Sequence, residues 1–196
     1  MINDILLEET VNKVANSRYK EMSVQARRRL MQLVEPIKIK KGDTFMPVGE
    51  ICKDLYLVGK GLLRQVYIKD GKSITEHFSY EGCLVFSLES TILGKPNAIF
   101  AETLEDLKMY KLTYQDLLEQ TKQDWEINMF YRKVLEFSLI VSQQKAYEWR
   151  FNTANEKYIK LLETQPEVIK RAPLIHIASY LNITPETLSR VRASTL

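Results

Sequence analysis

Two charged residues near the C-terminus, Glu186 and Arg190, lie four positions apart in a segment with the composition of a short helix. Side chains at this spacing project from the same face of a helix. A carboxylate accepts a hydrogen bond from cytosine N4, and a guanidinium donates two hydrogen bonds to guanine O6 and N7. The pair therefore has the chemistry to recognise base edges in the major groove of DNA. The alternative is a solvated ion pair that stabilises the helix slightly.

The residues around this pair predict two helices joined by a three-residue turn. Pro173 suits the first turn of a helix over 174–181, because its missing N–H would be unpaired there. Asn182 tolerates the left-handed backbone of a tight turn. Thr184 can cap the second helix, and Pro185 then occupies its first position. The apolar positions that we expect to pack between the two helices are Ile177, Leu181, Ile183, Leu188 and Val191.

Such a helix-turn-helix presents the polar positions of its second helix to the major groove. The predicted DNA-contacting residues are Thr184, Glu186, Thr187, Ser189, Arg190 and Arg192. Arg192, with Lys170 and Arg171, is expected to meet phosphates, which supply affinity rather than specificity. The net charge of the chain is +3, and residues 150–196 carry all of it, with seven Lys or Arg against four Asp or Glu. This basic C-terminal part favours a DNA-binding module.

Histidine, cysteine and nucleophile patterns give little support to catalysis. The chain has two histidines, His77 and His176, and two cysteines, Cys52 and Cys83, with no CxxC pair. A cupin-type metal enzyme needs clustered histidine and carboxylate ligands. Neither a Gly-x-Ser-x-Gly turn nor a glycine-rich phosphate loop is present. We therefore predict a protein that is not an enzyme, with no catalytic residues, no metal site and no cofactor.

Composition also indicates where the protein works. Scarce cysteine fits a reducing cytoplasm, and the N-terminus lacks the basic and apolar segments of a secretory signal. No apolar run approaches the ~18 residues of a membrane span. We expect a cytoplasmic protein without a membrane partner.

The elements upstream change in character along the chain. Residues 2–34 have a helical pattern, whereas residues 37–111 contain short alternating apolar runs, such as 55–58 and 62–68, separated by glycine-containing turns. Asp70-Gly71 marks a β-hairpin. Many short strands with evenly spaced turns predict a sandwich or barrel, a jelly roll among them.

A long helix is predicted over 124–149, after a helix start at Thr113 and before another helix over 153–163. Its apolar stripe advances by three and four positions in alternation, at Ile127, Phe130, Val134, Phe137 and Val141. This pattern is typical of a helix that meets another helix along its length, which predicts a homodimer interface. Packing of the stripe against its own domain is the alternative.

The order of these parts, with three motifs, resembles the cAMP receptor protein/FNR (Crp/Fnr) family of bacterial transcription regulators. The motifs are Lys41-Gly42-Asp43, the segment 54–64 with its Gly59-Lys60-Gly61 turn, and the Glu186-x-x-x-Arg190 pair. The segment 184–190, TPETLSR, is similar to the variant common in the Bacteroidetes branch. The resemblance covers nearly the whole chain.

The resemblance implies an α+β fold in three parts. These are a β jelly-roll sensor domain of cyclic-nucleotide-binding type with flanking helices over 1–123, a dimerisation helix over 124–150, and a helix-turn-helix DNA-binding domain over 151–196. It implies a homodimer that reads a two-fold-symmetric site in double-stranded DNA through helix 184–192 and, in an activator, contacts RNA polymerase. The alternative is a small-molecule or protein binding module without sequence-specific DNA binding.

The cyclic-nucleotide pocket is where the chain departs from the family. In cAMP-binding members a Gly-Glu pair and a downstream Arg hold the ribose and phosphate, but Phe86, Ser87 and Asn97 stand at these places here. Asn cannot supply the charge-assisted fork that a phosphate favours. The comparison implies an effector other than cAMP, or none. A remaining pocket would be lined by Phe86, Ser87, Asn97, Ala98 and Tyr131, and side chains that fill the space are the equal alternative.

Overall fold

Two four-stranded antiparallel sheets form the centre of the N-terminal part of the chain in the computed structural model, which describes residues 4–195. The strands are β1 (Val34–Ile39), β2 (Thr44–Phe45), β3 (Asp54–Lys60), β4 (Leu63–Lys69), β5 (Lys72–Ser79), β6 (Leu84–Val85), β7 (Phe100–Thr103) and β8 (Leu107–Thr113). One sheet has the order β1-β8-β3-β6 and the other β2-β7-β4-β5. The predictions for residues 1–3 and for Leu196 lie outside the described residues.

Helices precede, interrupt and follow these strands, so the predicted α+β class is confirmed. They are α1 (Ile5–Arg18), α2 (Val24–Gln32), α3 (Leu88–Leu93), α4 (Tyr114–Gln123), α5 (Trp125–Phe151), α6 (Ala154–Thr164), α7 (Pro166–Arg171), α8 (Leu174–Leu181) and α9 (Pro185–Thr195). The sequence pattern did not indicate α3 and α7. In the described part of the chain, no helix is both long and apolar enough to cross a membrane.

Two local signals can be followed directly into the structure. The Asp70-Gly71 turn joins β4 to β5 as a two-residue hairpin, with φ of 52° and 72° at its two residues and Lys69 paired with Lys72. The helical region predicted over 2–34 is instead two helices followed by a strand. The side chain of Ser23 caps the second helix by accepting from the N–H of Ala26 at 3.1 Å, and β1 has already begun at Val34.

Helix α5 is buried along its first half. Ile127, Phe130 and Val134 are between 0% and 2% exposed and pack in one apolar cluster with residues of α1, α2, β3 and β8. Each large apolar side chain buried in this way stabilises the fold by about 1.5–3 kcal/mol. The cluster fixes the direction in which α5 leaves the two sheets, and thereby the position of everything that follows it.

Gly61 is required by the close approach of the chain at the start of β4. Its φ is +102°, and a Cβ atom there would lie 2.6 Å from the carbonyl oxygen of Asp106 and 2.6 Å from a methyl carbon of Leu107. Gly71 also has a positive φ, of +72°, but nothing lies within 4 Å of its Cβ position.

We predict that Gly61→Ala lowers the free energy of unfolding by about 1–3 kcal/mol more than Gly71→Ala does, because overpacking is added to the same backbone cost. Urea denaturation of both variants measures the difference. Equal losses would show that the contact with Asp106 and Leu107 relaxes freely.

Candidate nucleic-acid interface

The turn between α8 and α9 is built around Asn182. Its backbone is left-handed, with φ 54° and ψ 49°, and its N–H donates to the carbonyl oxygens of Ala178 and Ser179. Asn adopts this conformation at lower cost than most residues, because its short polar side chain bonds locally. Thr184 Oγ1 accepts from the N–H of Thr187 at 3.2 Å, which is the contact expected of the residue that caps α9.

The inner face of α9 is apolar and packs on α6 and α8. Leu188, at its centre, is 0% exposed. The surrounding cluster includes Tyr158, Leu161, Ile177, Ala178 and Leu181, with Ile183 and Val191 packed against it. All five apolar positions predicted for this role therefore lie in or against one cluster. This packing determines which side of α9 is left to solvent.

The outer face of α9 carries most of the predicted DNA-contacting residues. Thr184, Glu186, Ser189 and Arg190 are exposed, and Thr187 is half-buried. Two contacts link them. The hydroxyl groups of Thr184 and Thr187 are 3.1 Å apart, and Arg190 Nη2 lies 3.5 Å from Thr187 Oγ1. Residues one helical turn apart thus form a polar surface that a groove of DNA can receive.

Glu186 and Arg190 are both exposed on α9, one helical turn apart. Within residues 4–195 the ion pairs do not include Glu186 with Arg190. Hydrogen bonds from its own backbone N–H and from Thr184, and then the charge of Arg190, lower the pKa of Glu186. The carboxylate is therefore ionised at neutral pH, as an acceptor for cytosine N4 must be. The two groups therefore interact through their charges without forming a direct ion pair.

The structure places two of the predicted phosphate-binding residues elsewhere. Arg171 lies against the sheets, where it donates hydrogen bonds to Glu81 and Glu105. These partners, distant in sequence, occupy the guanidinium, so the sequence signal for phosphate binding did not identify the contacts that Arg171 makes. Arg192 is half-buried at the edge of the inner face, and its Nε is shielded from solvent. Lys170 is exposed and pairs with Glu167.

Three of the residues predicted to line an effector pocket make contacts within the fold. Asn97 is 3% exposed, and its side chain donates to the carbonyl oxygen of Met46 at 3.0 Å. The carbonyl oxygen of Phe86 accepts from Gln65 Nε2, and Ser87 is buried at the start of α3. Ala98 is exposed. These observations favour the alternative that side chains fill the site.

Tyr131 and Phe86 both pack against the apolar cluster of α5, but Tyr131 makes its own polar contact. Its hydroxyl group lies 2.9 Å from that of Tyr114. The apolar space beside its ring is lined by leucines of the sheet and by Phe130 and Val134, and it is too narrow to admit a water molecule. None of the other four predicted pocket residues lines that space. In the described chain, His, Cys, Asp and Glu side chains form no group of three that could hold a metal ion.

The predicted dimer stripe on α5 divides at Phe137. Ile127, Phe130 and Val134 are core residues of a single chain, so for these three the alternative interpretation is correct. Phe137 is 40% exposed, with the guanidinium of Arg18 3.6 Å from its ring centre, and Val141 is half-buried. Beyond Phe137 an exposed stripe with the same alternating spacing continues along α5. It consists of Phe137, Ile140, Gln144, Tyr147 and Phe151.

The fold is shared with solved bacterial regulators. FixK2 from Bradyrhizobium japonicum is 19% identical, with a TM-score of 0.66 over 82% of this chain and 83% of its own. CLP, the c-di-GMP-responsive global regulator of Xanthomonas campestris, is 14% identical, with a TM-score of 0.66 over 88% and 91% of the two chains. The catabolite activator protein of Thermus thermophilus is 16% identical, with a TM-score of 0.60 over 93% and 85%.

These similarities extend over 82% or more of this chain and 83% or more of each compared chain. No family model and no curated protein matches the sequence. At identities below 20% the likeness establishes a common fold, and function has to be argued from the residues themselves.

We predict that Leu188→Ala lowers the stability of the C-terminal helices by about 2–5 kcal/mol, because it leaves a cavity between α6, α8 and α9. The neighbouring Ser189→Ala, on the exposed face, should change stability by less than about 0.5 kcal/mol. Hydrogen exchange of the α6 and α8 amides measures the effect. Similar exchange in both variants would contradict the assignment of the two faces.

Proposed function

We propose that this chain is a transcription regulator of the Crp/Fnr type, which binds double-stranded DNA as a homodimer through α9. The two sheets with their flanking helices act as a jelly-roll sensor domain, α5 as the dimerisation helix, and α6 to α9 as the DNA-binding domain. The similarity in fold to FixK2, CLP and the catabolite activator protein supports the assignment. The segment 184–190 supports a place in the Bacteroidetes branch.

A single observation carries the proposal. Helix α9 buries Leu188 and presents Glu186 and Arg190 on its outer face, with both residues exposed to solvent. The Glu186 carboxylate is a hydrogen-bond acceptor and the Arg190 guanidinium is a forked donor, one helical turn apart. The packing of α9 does not require this combination, whereas recognition of bases does. A binding module that lacks DNA recognition would explain the fold, but it would not explain the polar outer face of α9.

A two-fold-symmetric site requires two copies of the protein, and the exposed stripe of α5 is the surface through which they would pair. Two α5 helices packed along Phe137, Ile140, Tyr147 and Phe151 would bury apolar side chains that a single chain leaves 40% to 67% exposed. The two α9 helices must then lie about 34 Å apart to enter successive major grooves. The dimer interface therefore sets the spacing of the half-sites.

The proposed regulator does not use cAMP. Asn97 already bonds Met46 within the fold, and no positive charge replaces the missing arginine at this position. Either an uncharged effector binds the sensor domain, or the protein has no effector. An effector can shift the protein between two arrangements only by binding them unequally. We propose further that the protein is cytoplasmic, is not an enzyme, and meets RNA polymerase if it activates transcription.

We predict that the purified protein enriches a two-fold-symmetric site from a random DNA pool and that Arg190→Ala loses about 10–100-fold in affinity for that site. Arg132→Ala is the matched control, because Arg132 is 66% exposed on α5 and pairs with Glu136. Affinity should fall steeply with salt, since phosphate contacts release counterions.

Two outcomes would contradict this function. One is the failure of any sequence to be enriched, either by the protein alone or with small molecules from a cell extract added. The other is enrichment that Arg190→Ala and Arg132→Ala leave equally intact. The first result would favour the binding module that lacks sequence-specific DNA recognition.

We predict that Ile140→Glu converts the dimer to a monomer, because it places a charge at the centre of the exposed stripe of α5. Ser142→Glu, two residues on and outside the stripe, introduces the same charge at an exposed position and should remain a dimer. Light scattering at matched concentration gives the mass of each. A wild-type protein of monomer mass, or Ile140→Glu at wild-type mass, would contradict the proposed interface.

A further inference from the structure

The C-terminal helices are docked on the sheet that contains β4 and β5, with α8 lying against the edge strand β5. Leu62 and Phe78 of the sheet region are 0% and 6% exposed and belong to the same apolar cluster as Leu188. The ring centre of Phe78 lies 5.4 Å from that of Tyr180. Tyr80 and Leu104 of the sheet region also pack against this cluster. Apolar contacts and polar groups therefore act together in holding the helices on the sheet.

Arg171, the last residue of α7, makes the most extensive of these polar contacts. Its Nη1 and Nη2 donate to the two carboxylate oxygens of Glu81 at 2.7 and 3.1 Å. Its Nε and Nη2 donate to the two carboxylate oxygens of Glu105 at 2.9 and 2.6 Å. One guanidinium is therefore engaged by two carboxylates in a doubly bidentate arrangement, which is the strongest form of side-chain hydrogen bonding.

The titration behaviour of the three groups agrees with this geometry. Hydrogen bonds with Glu105 and Glu81 raise the pKa of Arg171. Hydrogen bonds from Arg171 lower the pKa of Glu105. Burial alone would raise the pKa of Glu81, but the bonds from Arg171 and from the N–H of Gly61 outweigh it and lower the pKa. All three charges therefore persist at neutral pH.

Ser179 on α8 forms a second polar contact with the sheet. Its Oγ accepts from the N–H of Thr75 at 2.9 Å and donates to the carbonyl oxygen of Ser73 at 3.3 Å. Thr75 and Ser73 belong to β5, an edge strand whose outer backbone groups have no neighbouring strand. The N–H of Thr75 therefore depends on the docked helix for its partner.

Lys145 connects the same strand to α5. It is 8% exposed, pairs with the carboxylate of Glu76 at 2.9 Å and donates to the carbonyl oxygen of the same residue. Its ammonium lies 4.8 Å from the ring centre of Trp149 and 5.0 Å from that of Tyr180. The end of α5, strand β5 and helix α8 thus meet at one buried cation.

The link between α5 and α6 allows the docked helices to move as a body. Asn152 and Thr153 have extended backbones, with φ/ψ of −83°/137° and −66°/165°. Rotation at these two residues changes the direction of α6 without unwinding either helix. A capping box at Thr153 and Glu156 completes the start of α6 independently of the sheets.

We propose that Arg171, with Glu81 and Glu105, is an ionic latch that holds the C-terminal helices in one orientation on the sheet, and that breaking it releases them as a folded unit. The latch spans the two parts of the chain, because Arg171 lies in the helical part and both carboxylates belong to the sheet region. The inference concerns docking alone and stands whether or not α9 binds DNA. Its consequence, a change in the direction of α9, rests on the proposed function.

The latch responds to salt more than an apolar contact would. Its three side chains are 20% to 37% exposed, so ions reach them, and the screening length falls to about 10 Å at 0.1 M salt. When the C-terminal helices detach from the sheet, all three charges become hydrated. Moderate salt weakens the attraction among these charges but has little effect on the apolar contact of Leu62 and Phe78. Docking is thus weakened as ionic strength rises, and this dependence is lost when Arg171 is neutral.

Amide hydrogen exchange of the full-length protein, followed by NMR, tests the latch. The N–H of Thr75 is the reporter, because its acceptor belongs to Ser179 of the docked helix. In Arg171→Gln its exchange should accelerate by about tenfold or more and lose its dependence on salt. Lys170→Gln is the matched control, since Lys170 is the neighbouring cation and pairs with Glu167 alone among the described residues.

Two further measurements separate release from unfolding. Glu105→Gln removes one partner from the sheet side and leaves the C-terminal helices unaltered, and it should also accelerate exchange at Thr75. The N–H of Leu188, which donates to Thr184 within the C-terminal part, should keep its wild-type exchange rate in every variant. Unchanged exchange at Thr75 in Arg171→Gln and Glu105→Gln would overturn the proposal. Acceleration at Leu188 equal to that at Thr75 would also overturn it, since the helices would then unfold rather than detach.

Discussion

Burial of the first half of helix α5 is the constraint on which the rest of the structure depends. Ile127, Phe130 and Val134 are held by α1, α2 and the two inner strands of the first sheet, β3 and β8, so the helix cannot rotate about its own axis. A rigid helix of 27 residues is about 40 Å long, and its second half therefore projects in a fixed direction. The exposed stripe, the buried Lys145 and the link at Asn152 are all placed by that direction.

Helix α9, like α5, has one buried face and one exposed face. Leu188 commits one side of α9 to the interior, and the outward position of Arg190 follows from helix geometry. Ser179 and Arg171 hold the far side of this unit on the sheet. The face proposed to read DNA is therefore separate from the face that docks on the sheet. The C-terminal helices can be docked while the outer face of α9 stays exposed to DNA.

Local signals in the sequence were sufficient for several elements, although not for α3, α7 or the break within 2–34, and they were insufficient for the partners of those elements. Some features depend only on residues a few positions apart, and these could be predicted from the sequence. They are the Asp70-Gly71 hairpin, the cap at Thr184 and the length of α5. The environment of the α5 stripe depends on helices about a hundred positions away, so the predicted dimer seam included three core residues. Arg171 was assigned to phosphate because its partners, 66 and 90 positions away, leave no local pattern.

Methylation of guanine N7 tests the central claim most directly, because it blocks the acceptor that an arginine in the major groove would use. The DNA would be the sequence enriched by the protein, methylated sparsely and separated into bound and free fractions. We expect interference at guanines in two symmetric half-sites about 10 base pairs apart, and its disappearance in Arg190→Ala. Absence of interference at symmetric guanines, or interference that persists without Arg190, would contradict the account.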